Sequence, residues 1–184
     1  MTISVPQNNY SLGFIGIGLM GKPMTLRLLD ASFKVNVWNR SADKLDAVVK
    51  AGAIACASVR DVVNNADVVL LCLSDTQAVE SVVNNGIVNH GAPGKLVIDL
   101  SSIHPETTRQ LASLVQEKCG MGWVDAPVSG GVAGAEQGNL AIMAGGNEAD
   151  IAIAQEVLRP LYRQLTHMGE IGSGQITKIC NQMI

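Results

Sequence analysis

The sequence has 184 residues, of which 47% are hydrophobic and 16% are charged. Its length predicts one folded domain and the beginning of another, and its composition excludes a disordered chain. The formal net charge of −3 excludes a general electrostatic attraction to nucleic acid or to anionic lipid, so we expect no nucleic-acid and no membrane partner.

Short apolar runs alternate along the chain with segments of helical period. The predicted strands are Leu12–Ile17, Lys34–Trp38, Asp67–Leu73, Lys95–Leu100, Trp123–Ala126 and Leu140–Ala144. The predicted helices are Gly21–Leu29, Ala42–Ala51, Ser58–Asn65, Thr76–Asn84, Pro105–Lys118 and Glu148–Leu161. Apolar strands separated by helices indicate parallel strands that are covered on both faces. The sequence therefore predicts an α/β fold with a Rossmann-type, doubly wound and mainly parallel sheet.

Local signals mark three of the predicted helix starts. Ser41 and Ser58 stand where N-caps are expected, and serine is a favoured N-cap because its hydroxyl accepts from a free backbone N–H. Pro105 opens a predicted helix, at a position where a missing N–H is tolerated.

The segment that follows the last predicted strand and helix has a different pattern. From Gln175 onward, four apolar residues recur at helical spacing and form one stripe, namely Ile176, Ile179, Cys180 and Met183. A terminal helix docked on its own sheet is one interpretation. We favour the start of a helix that connects to a further domain. The predicted organisation is a nucleotide-binding domain at residues 1–171 and the start of an interdomain helix at residues 172–184, with the second domain absent.

A glycine-rich turn follows the first predicted strand and opens the first predicted helix. The spacing Gly16-x-Gly18-x-x-Gly21 allows a tight turn, a close approach of backbone to a pyrophosphate, and close packing of helix on strand. The anion would lie at the N-terminus of the helix. We predict dinucleotide binding by the residues of this turn: Gly16, Ile17, Gly18, Leu19, Met20 and Gly21.

The end of the second strand predicts which nicotinamide cofactor binds. An acidic residue there would accept hydrogen bonds from the adenosine ribose and repel a 2′-phosphate. This chain instead has Asn39, Arg40 and Ser41, a neutral residue followed by a cation that can pair with the phosphate. A solvated arginine is the alternative interpretation. We predict that NADP(H) is preferred over NAD(H).

Cysteines, histidines and the amino terminus predict a cytoplasmic protein without a metal. The first ten residues lack the basic start and apolar core of a signal peptide, and no apolar run reaches the roughly 18 residues of a membrane span. The four cysteines are far apart, which predicts reduced and mostly buried thiols at Cys56, Cys72, Cys119 and Cys180. No metal-ligand spacing is present at His90, His104 and His167.

Three segments, in the same order along the chain, resemble those of the β-hydroxyacid dehydrogenases. They are Gly13–Met24, Asp125–Gly131 with its continuation Gly138–Gly145, and Gly169–Asn181. This family includes 3-hydroxyisobutyrate dehydrogenase and tartronate semialdehyde reductase, and 6-phosphogluconate dehydrogenase is a relative. The resemblance implies a Rossmann-type domain, a long connecting helix and an all-helical domain that closes the active site and supports a homo-oligomer.

The resemblance also implies roles for particular residues. Lys178 matches the family's catalytic lysine, the general acid or base of the reaction. Substrate contacts are implied at Ser129, Gly130, Gly131 and Asn181, and further cofactor contacts at Leu73, Ser74 and Ser102. On a helix, Gly174, Lys178 and Asn181 share one face, opposite the apolar stripe. We expect Gly174 to leave open space beside the lysine.

The activity implied is that of an NADP-dependent oxidoreductase interconverting a small aldehyde acid and its 3-hydroxy acid. Tartronate semialdehyde (2-hydroxy-3-oxopropionate) is the first candidate; 3-hydroxyisobutyrate oxidation and glyoxylate or succinic semialdehyde reduction are alternatives. Imine reduction is less favoured, because such enzymes generally lack the lysine present here. A nucleotide-sensing interaction module is the non-enzymatic alternative. Residues 1–184 alone are expected to be inactive, and substrate selectivity is expected to depend partly on the helical domain.

Overall fold

The computed structural model describes residues 10–183. The expectation of no signal peptide concerns residues that lie almost entirely outside this range, and it stays a prediction. No helix in residues 10–183 is long and apolar enough to cross a membrane.

Nine strands form one sheet within the described residues. They are β1 Ser11–Ile15, β2 Lys34–Trp38, β3 Ile54–Ala55, β4 Val68–Leu71, β5 Leu96–Asp99, β6 Gly122–Asp125, β7 Val128–Ser129, β8 Leu140–Gly145 and β9 Tyr162–Gly169. Six predicted strands are present, with β2 matching residue for residue. The short strands β3 and β7 and the long strand β9 were not predicted.

The sheet confirms the predicted Rossmann-type fold. The strand order is β3-β2-β1-β4-β5-β6-β8-β7, and β9 pairs with β8. Strands β1 to β6 pair in parallel, whereas β8 is antiparallel to β6 and β7. Strand β9 runs parallel to β8. Because ligands of open parallel sheets bind beyond the carboxyl ends of the strands, the loops after β1, β2, β4 and β5 meet at one edge.

Helices cover both faces of this sheet. They are α1 Gly21–Asp30, α2 Asp46–Lys50, α3 Val59–Asn65, α4 Thr76–Val82, α5 Val88–His90, α6 Pro105–Cys119, α7 Gly131–Gln137, α8 Glu148–Leu158 and α9 Ser173–Gln182. Two 3₁₀ turns, Ala42–Leu45 and Arg159–Leu161, and a π turn at Val83–Ile87 split helices that the sequence predicts as continuous. Helix α7 was not predicted.

The three predicted helix starts are confirmed in position. The Ser58 hydroxyl accepts from the Asp61 backbone N–H at 3.2 Å, and Pro105 lies in the first turn of α6. Ser41 occupies the predicted N-cap position, but its side chain forms no capping hydrogen bond to the tighter 3₁₀ turn that follows.

Alternate residues of the central strands pack into two separate hydrophobic cores. Leu12 and Phe14 face one core, and Ile15 faces the other. Strand β4 divides in the same way, with Leu70 in the first core and Leu71 in the second. Since every residue of β4 and β5 is buried, both faces of the sheet are covered as predicted.

Candidate active site

The glycine-rich turn has the shape that a dinucleotide needs. Gly16 has a φ of +104°, and a Cβ there would overlap the Cys72 carbonyl. A Cβ on Gly21 would overlap the Gly16 carbonyl oxygen, so this glycine permits the close packing of α1. A Cβ on Gly18 would meet nothing within 4 Å, which leaves room for a ligand. Within residues 10–183, the backbone N–H groups of Leu19 and Met20 have no acceptor, so they are free to bind an anion.

Asn39 ties this turn to the end of β2. Its Oδ1 accepts from the Ile17 backbone N–H at 2.9 Å, and its Nδ2 donates to the Ser41 carbonyl at 2.9 Å. The Ile17 side chain is buried in the core, and Leu19 is 84% exposed. The predicted cofactor contacts therefore divide into residues that build the turn and residues that face solvent.

Arg40 and Ser41 lie exposed just beyond β2. Arg40 forms no ion pair with any residue in the range 10–183. The hydroxyl of Ser74, the backbone N–H of Ala78 and the charge of Arg40 all lower the pKa of Asp75, whose carboxylate caps α4. The guanidinium is thus available to an anionic ligand at this edge of the sheet.

One groove brings together eight of the predicted site residues. It has a volume of about 410 Å³ and lies at the carboxyl ends of β4 and β5. Predicted cofactor, substrate and catalytic residues line it together: Met20, Leu73, Ser74, Ser102, Ser129, Gly130, Gly131 and Lys178. Gly130 and Gly131 both have positive φ, at +132° and +61°, where α7 begins. The segment after β6 therefore faces the turn after β1 and the loops after β4 and β5 across one opening.

Lys178 is buried in the wall of this groove. The residue is 9% exposed, and its ammonium has no hydrogen bond or ion pair within the described part of the chain. Buried lysines are ordinarily paired, so an unpaired one that faces a groove is a candidate for contact with a ligand. On the other side of α9, Ile176 and Ile179 are each 43% exposed and Met183 is 82% exposed. The predicted opposition of the two helix faces is confirmed for Gly174 and Lys178, which are buried, and not for Asn181, which is exposed.

Two residues of α9, Asn181 and Gly174, do not lie as expected. Asn181 is exposed and does not line the groove, whereas its neighbour Gln182 does. The expectation of open space at Gly174 is wrong. A Cβ there would overlap the Met143 carbonyl and lie 2.7 Å from the Asp125 carbonyl oxygen, so this glycine lets α9 pack closely on β6 and β8.

The role of Asp125, at the end of β6, was not indicated by the sequence. This residue is fully buried, and its carboxylate accepts from the backbone N–H groups of Gly172 at 2.7 Å and Gln175 at 2.9 Å. Burial raises the pKa of Asp125, and the N–H donors oppose that shift. The start of α9 is thereby attached to the end of β6.

The loop after β5 contains a second buried carboxyl. Asp99 accepts from the Ser101 backbone N–H at 3.0 Å, while its Oδ2 has no partner among residues 10–183. Burial, with a smaller contribution from Asp125, raises the pKa of Asp99 to about 7. Its neighbour Cys72 lines the groove, and surrounding protein together with the Asp99 carboxylate raises the pKa of this thiol to about 12. Cys72 is therefore a poor nucleophile at neutral pH.

Other groove residues were not predicted: Cys72, Leu100, Ser101, Val128 and Gln182. For the first four, a position at a strand end was the one signal available, whereas Gln182 lies at the end of α9. The four cysteines are free, as predicted, but "mostly buried" is wrong: Cys180 is exposed and the others are half-buried. Within residues 10–183, no group of three or more histidine, cysteine or acidic side chains is arranged to hold a metal.

The fold and the glycine-rich turn together define a dinucleotide-binding domain of the Rossmann type. Comparison with known proteins places it more closely. Residues 11–169 match the family model described as the NAD-binding domain of 6-phosphogluconate dehydrogenase.

Named relatives support the same assignment. Over 175 residues, which is 94% of the chain, it is 39% identical to an NAD-dependent L-serine dehydrogenase of Pseudomonas aeruginosa and 37% identical to a 2-hydroxy-3-oxopropionate reductase of Escherichia coli. A solved structure of Mycobacterium tuberculosis 3-hydroxyisobutyrate dehydrogenase with L-serine superposes with a TM-score of 0.91 at 33% identity, covering 95% of this chain and 59% of that one.

The chain belongs to the β-hydroxyacid dehydrogenase family, and it contains that family's nicotinamide-nucleotide-binding domain. It spans 58% and 59% of the length of the two relatives.

Proposed function

We propose that this chain is the NADP(H)-binding part of a cytoplasmic oxidoreductase that interconverts a small aldehyde acid and its 3-hydroxy acid. The observation that carries the proposal is Lys178, a residue only 9% exposed whose unpaired ammonium lines a groove shared with the strand-end loops and with Ser129–Gly131. A nucleotide-sensing module would have no use for an unpaired cation that lines the groove at that position.

Lys178 would move the proton of the reaction. In reduction, its ammonium donates a proton to the carbonyl oxygen of the substrate, and in oxidation its neutral amine accepts the proton of the alcohol. Bound NADPH would supply the hydride. The groove wall around Lys178 limits access of water, which strengthens the interaction of the ammonium with the developing negative charge on oxygen.

The substrate carboxylate would bind at the start of α7. The Ser129 hydroxyl and the backbone N–H groups of Gly130 and Gly131 are suitable donors. A Cβ on Gly131 would meet nothing within 4 Å, so an anion has space to approach this backbone. Asn181 lies three residues beyond Lys178 on α9 and outside the lining of the groove, and we assign it to orienting the substrate hydroxyl.

NADP(H) is the cofactor that the end of β2 favours. Arg40 is exposed and without an ion-pair partner in the described range, and neither Asn39 nor Ser41 would repel a 2′-phosphate. The remaining cofactor contacts are the turn after β1 and Leu73, Ser74 and Ser102. The Pseudomonas aeruginosa relative is named NAD-dependent, so the preference needs a direct measurement.

Tartronate semialdehyde is the first candidate substrate, since a relative that is 37% identical is named 2-hydroxy-3-oxopropionate reductase. L-Serine is the second candidate, because it is a 3-hydroxy acid and a relative that is 39% identical is named L-serine dehydrogenase. The other aldehyde acids form the comparison set: glyoxylate, succinic semialdehyde and methylmalonate semialdehyde, the last being the oxidised form of 3-hydroxyisobutyrate.

We further propose that residues 1–171 form the nucleotide-binding domain and that α9 is the start of a helix leading into an all-helical domain. The outward face of α9 presents Ile176, Ile179 and Met183 to solvent. Burying aliphatic side chains contributes roughly 1.5–3 kcal/mol each, so this face favours a covering domain. That domain would complete the substrate site and support a homo-oligomer.

The test is a turnover assay of the full-length protein. NADPH absorbance is followed with each aldehyde acid, and NADP⁺ reduction with L-serine and 3-hydroxyisobutyrate, in wild type and in a Lys178→Ala variant. We expect one preferred substrate and a loss of turnover of about 10²–10⁴-fold in the variant, with NADPH affinity little changed.

The matched control is Lys118→Ala, which removes an exposed lysine near the end of α6. It should leave turnover and NADPH affinity at wild-type values. Full turnover by Lys178→Ala would remove Lys178 from the mechanism. Tight NADPH binding without turnover on any substrate would favour the sensing module.

A further inference from the structure

Gln175 joins α9 to the loop after β5. The residue is 1% exposed, and both ends of its amide are hydrogen-bonded: Nε2 donates to the Ser101 carbonyl at 2.8 Å, and Oε1 accepts from the Ile103 backbone N–H at 3.1 Å. These two partners flank Ser102, which lines the groove. A single buried side chain therefore fixes the backbone on both sides of a proposed cofactor contact.

The backbone of Gln175 is fixed as well. Its N–H donates to Asp125, which also accepts from Gly172, so the first turn of α9 is attached to the end of β6. Gly174 packs without a side chain against the backbone of Met143 and Asp125. Gln175 is therefore held in one place while its amide holds the loop after β5.

Hydrogen bonds continue from this loop to the next. The Ser101 hydroxyl accepts from the Leu73 backbone N–H at 2.9 Å. Leu73 and Ser102 both line the groove, on the loops after β4 and β5. Lys178 lies three residues after Gln175, on the same buried face of α9. A continuous set of bonds thus connects Lys178's helix with both proposed cofactor loops.

We propose that Gln175 is a positioning residue, which holds the proton-donating Lys178 at a fixed distance from the loops that bind the nicotinamide end of the cofactor. This inference rests on the proposed function. The side chain touches neither substrate nor cofactor; it acts through Ser101 and Ile103 on one side and through α9 on the other. Its loss changes the relative position of two groups that must both contact the reacting atoms.

The test compares Gln175→Met with Gln175→Glu in the full-length protein. Methionine fills the space without donating or accepting through the amide positions. Misplacement of a reacting group by about 1 Å lowers rates about 10²-fold, so we expect kcat to fall about 10- to 100-fold in Gln175→Met. The KM for NADPH should change less than about threefold. Gln116→Met, at an exposed position on α6, is the matched control and should leave both constants unchanged.

The pH dependence of kcat in Gln175→Glu distinguishes a positioning role from a purely structural one. A protonated carboxyl offers one donor and one acceptor, as the amide does, whereas the carboxylate offers no donor to the Ser101 carbonyl. Burial raises the pKa of an introduced carboxyl, so kcat of this variant relative to wild type should rise as the pH is lowered. The other charged or titratable groups around this turn are present in both proteins and cancel in the ratio: Asp99, Arg109, Asp125 and Lys178.

The two proposals fail in different ways. Absence of Lys178-dependent turnover in the wild type would contradict the proposed function. The positioning role is then still measured by hydrogen exchange of residues 172–178, where NADPH binding should slow exchange in the wild type and not in Gln175→Met. A wild-type kcat in Gln175→Met, a pH-independent ratio for Gln175→Glu, or equal NADPH protection in both proteins would overturn it.

Discussion

Replacing Asp99 by asparagine tests the electrostatics of the buried loop after β5. Asp99 is fully buried, and burial raises the pKa of its carboxyl from 3.8 to about 7. The folded chain therefore binds one more proton than the unfolded chain between these two pH values. Under that condition the free energy of unfolding falls as the pH rises. The stability that protonated Asp99 contributes is therefore fully present below pH 3.8 and is lost as the pH rises through about 7.

The size of this effect follows from the difference of about three pKa units, at about 1.36 kcal/mol each. Ionisation of Asp99 should thus lower the free energy of unfolding by up to about 4 kcal/mol. An asparagine can still accept from the Ser101 N–H, but its amide places an unpaired donor where Oδ2 lies, at a cost of about 1–3 kcal/mol. Near pH 8, Asp99→Asn should therefore be the more stable protein by about 1–3 kcal/mol.

Urea unfolding at a series of pH values, from about 4 to about 8, measures this difference. The wild type should lose stability relative to Asp99→Asn across that interval and gain it back on acidification. Titration of the surface groups is common to both proteins, so the difference isolates Asp99 together with its interaction with Asp125. A difference that is constant with pH, or a wild type that becomes relatively more stable at high pH, would refute the reasoning.

Two further predictions concern the cofactor edge and α9. Arg40→Ala should weaken NADPH binding about 10- to 150-fold and leave NADH binding unchanged, as measured by fluorescence titration of both nucleotides. Arg60→Ala, on α3, is the control. An equal loss of NADH affinity in Arg40→Ala would contradict a contact between Arg40 and the 2′-phosphate. Gly174→Ala should lower the free energy of unfolding by about 1–3 kcal/mol and lower turnover, because its methyl group displaces α9 from Met143 and Asp125. An unchanged urea midpoint and kcat would show that α9 tolerates the added atom.

The hydrophobic pattern of the sequence predicted the central strands of the sheet but missed strands nearer its edges. Strand β2 is predicted residue for residue because Val35 and Val37 alternate with polar residues, and both valines pack into the same core. Strand β9, Tyr162–Gly169, has no fully buried residue, so its side chains carry little of the apolar signal on which prediction depends. Helix α7 contains two glycines within seven residues, which lowers its helical propensity, and tertiary packing overrides that preference.

For the site, the sequence predicted the position of Lys178 and did not predict the contacts that hold α9 in place. Helical spacing places Lys178 on one face of α9 and the apolar residues on the other, which requires only a periodicity. Spacing contains no information about what lies opposite that face, so the close contact at Gly174 and the bonds from Asp125 could not be derived from it. Gln175 was likewise missed, because a buried glutamine is recognised by its partners in three dimensions.

The hydrogen bonds of Asn39 have a consequence for the redesign of cofactor preference. A common strategy for favouring NADH is to introduce an acidic residue at the end of β2, next to the adenosine ribose. Here the Asn39 amide accepts a hydrogen bond from the Ile17 N–H and donates one to the Ser41 carbonyl. A carboxylate could accept from Ile17 but could not donate to Ser41. Asn39→Asp would thus alter the pyrophosphate turn together with ribose recognition, whereas changes at Arg40 and Ser41 leave the turn intact. Preference for NADPH or NADH in this domain is therefore most readily changed at Arg40, one residue after Asn39.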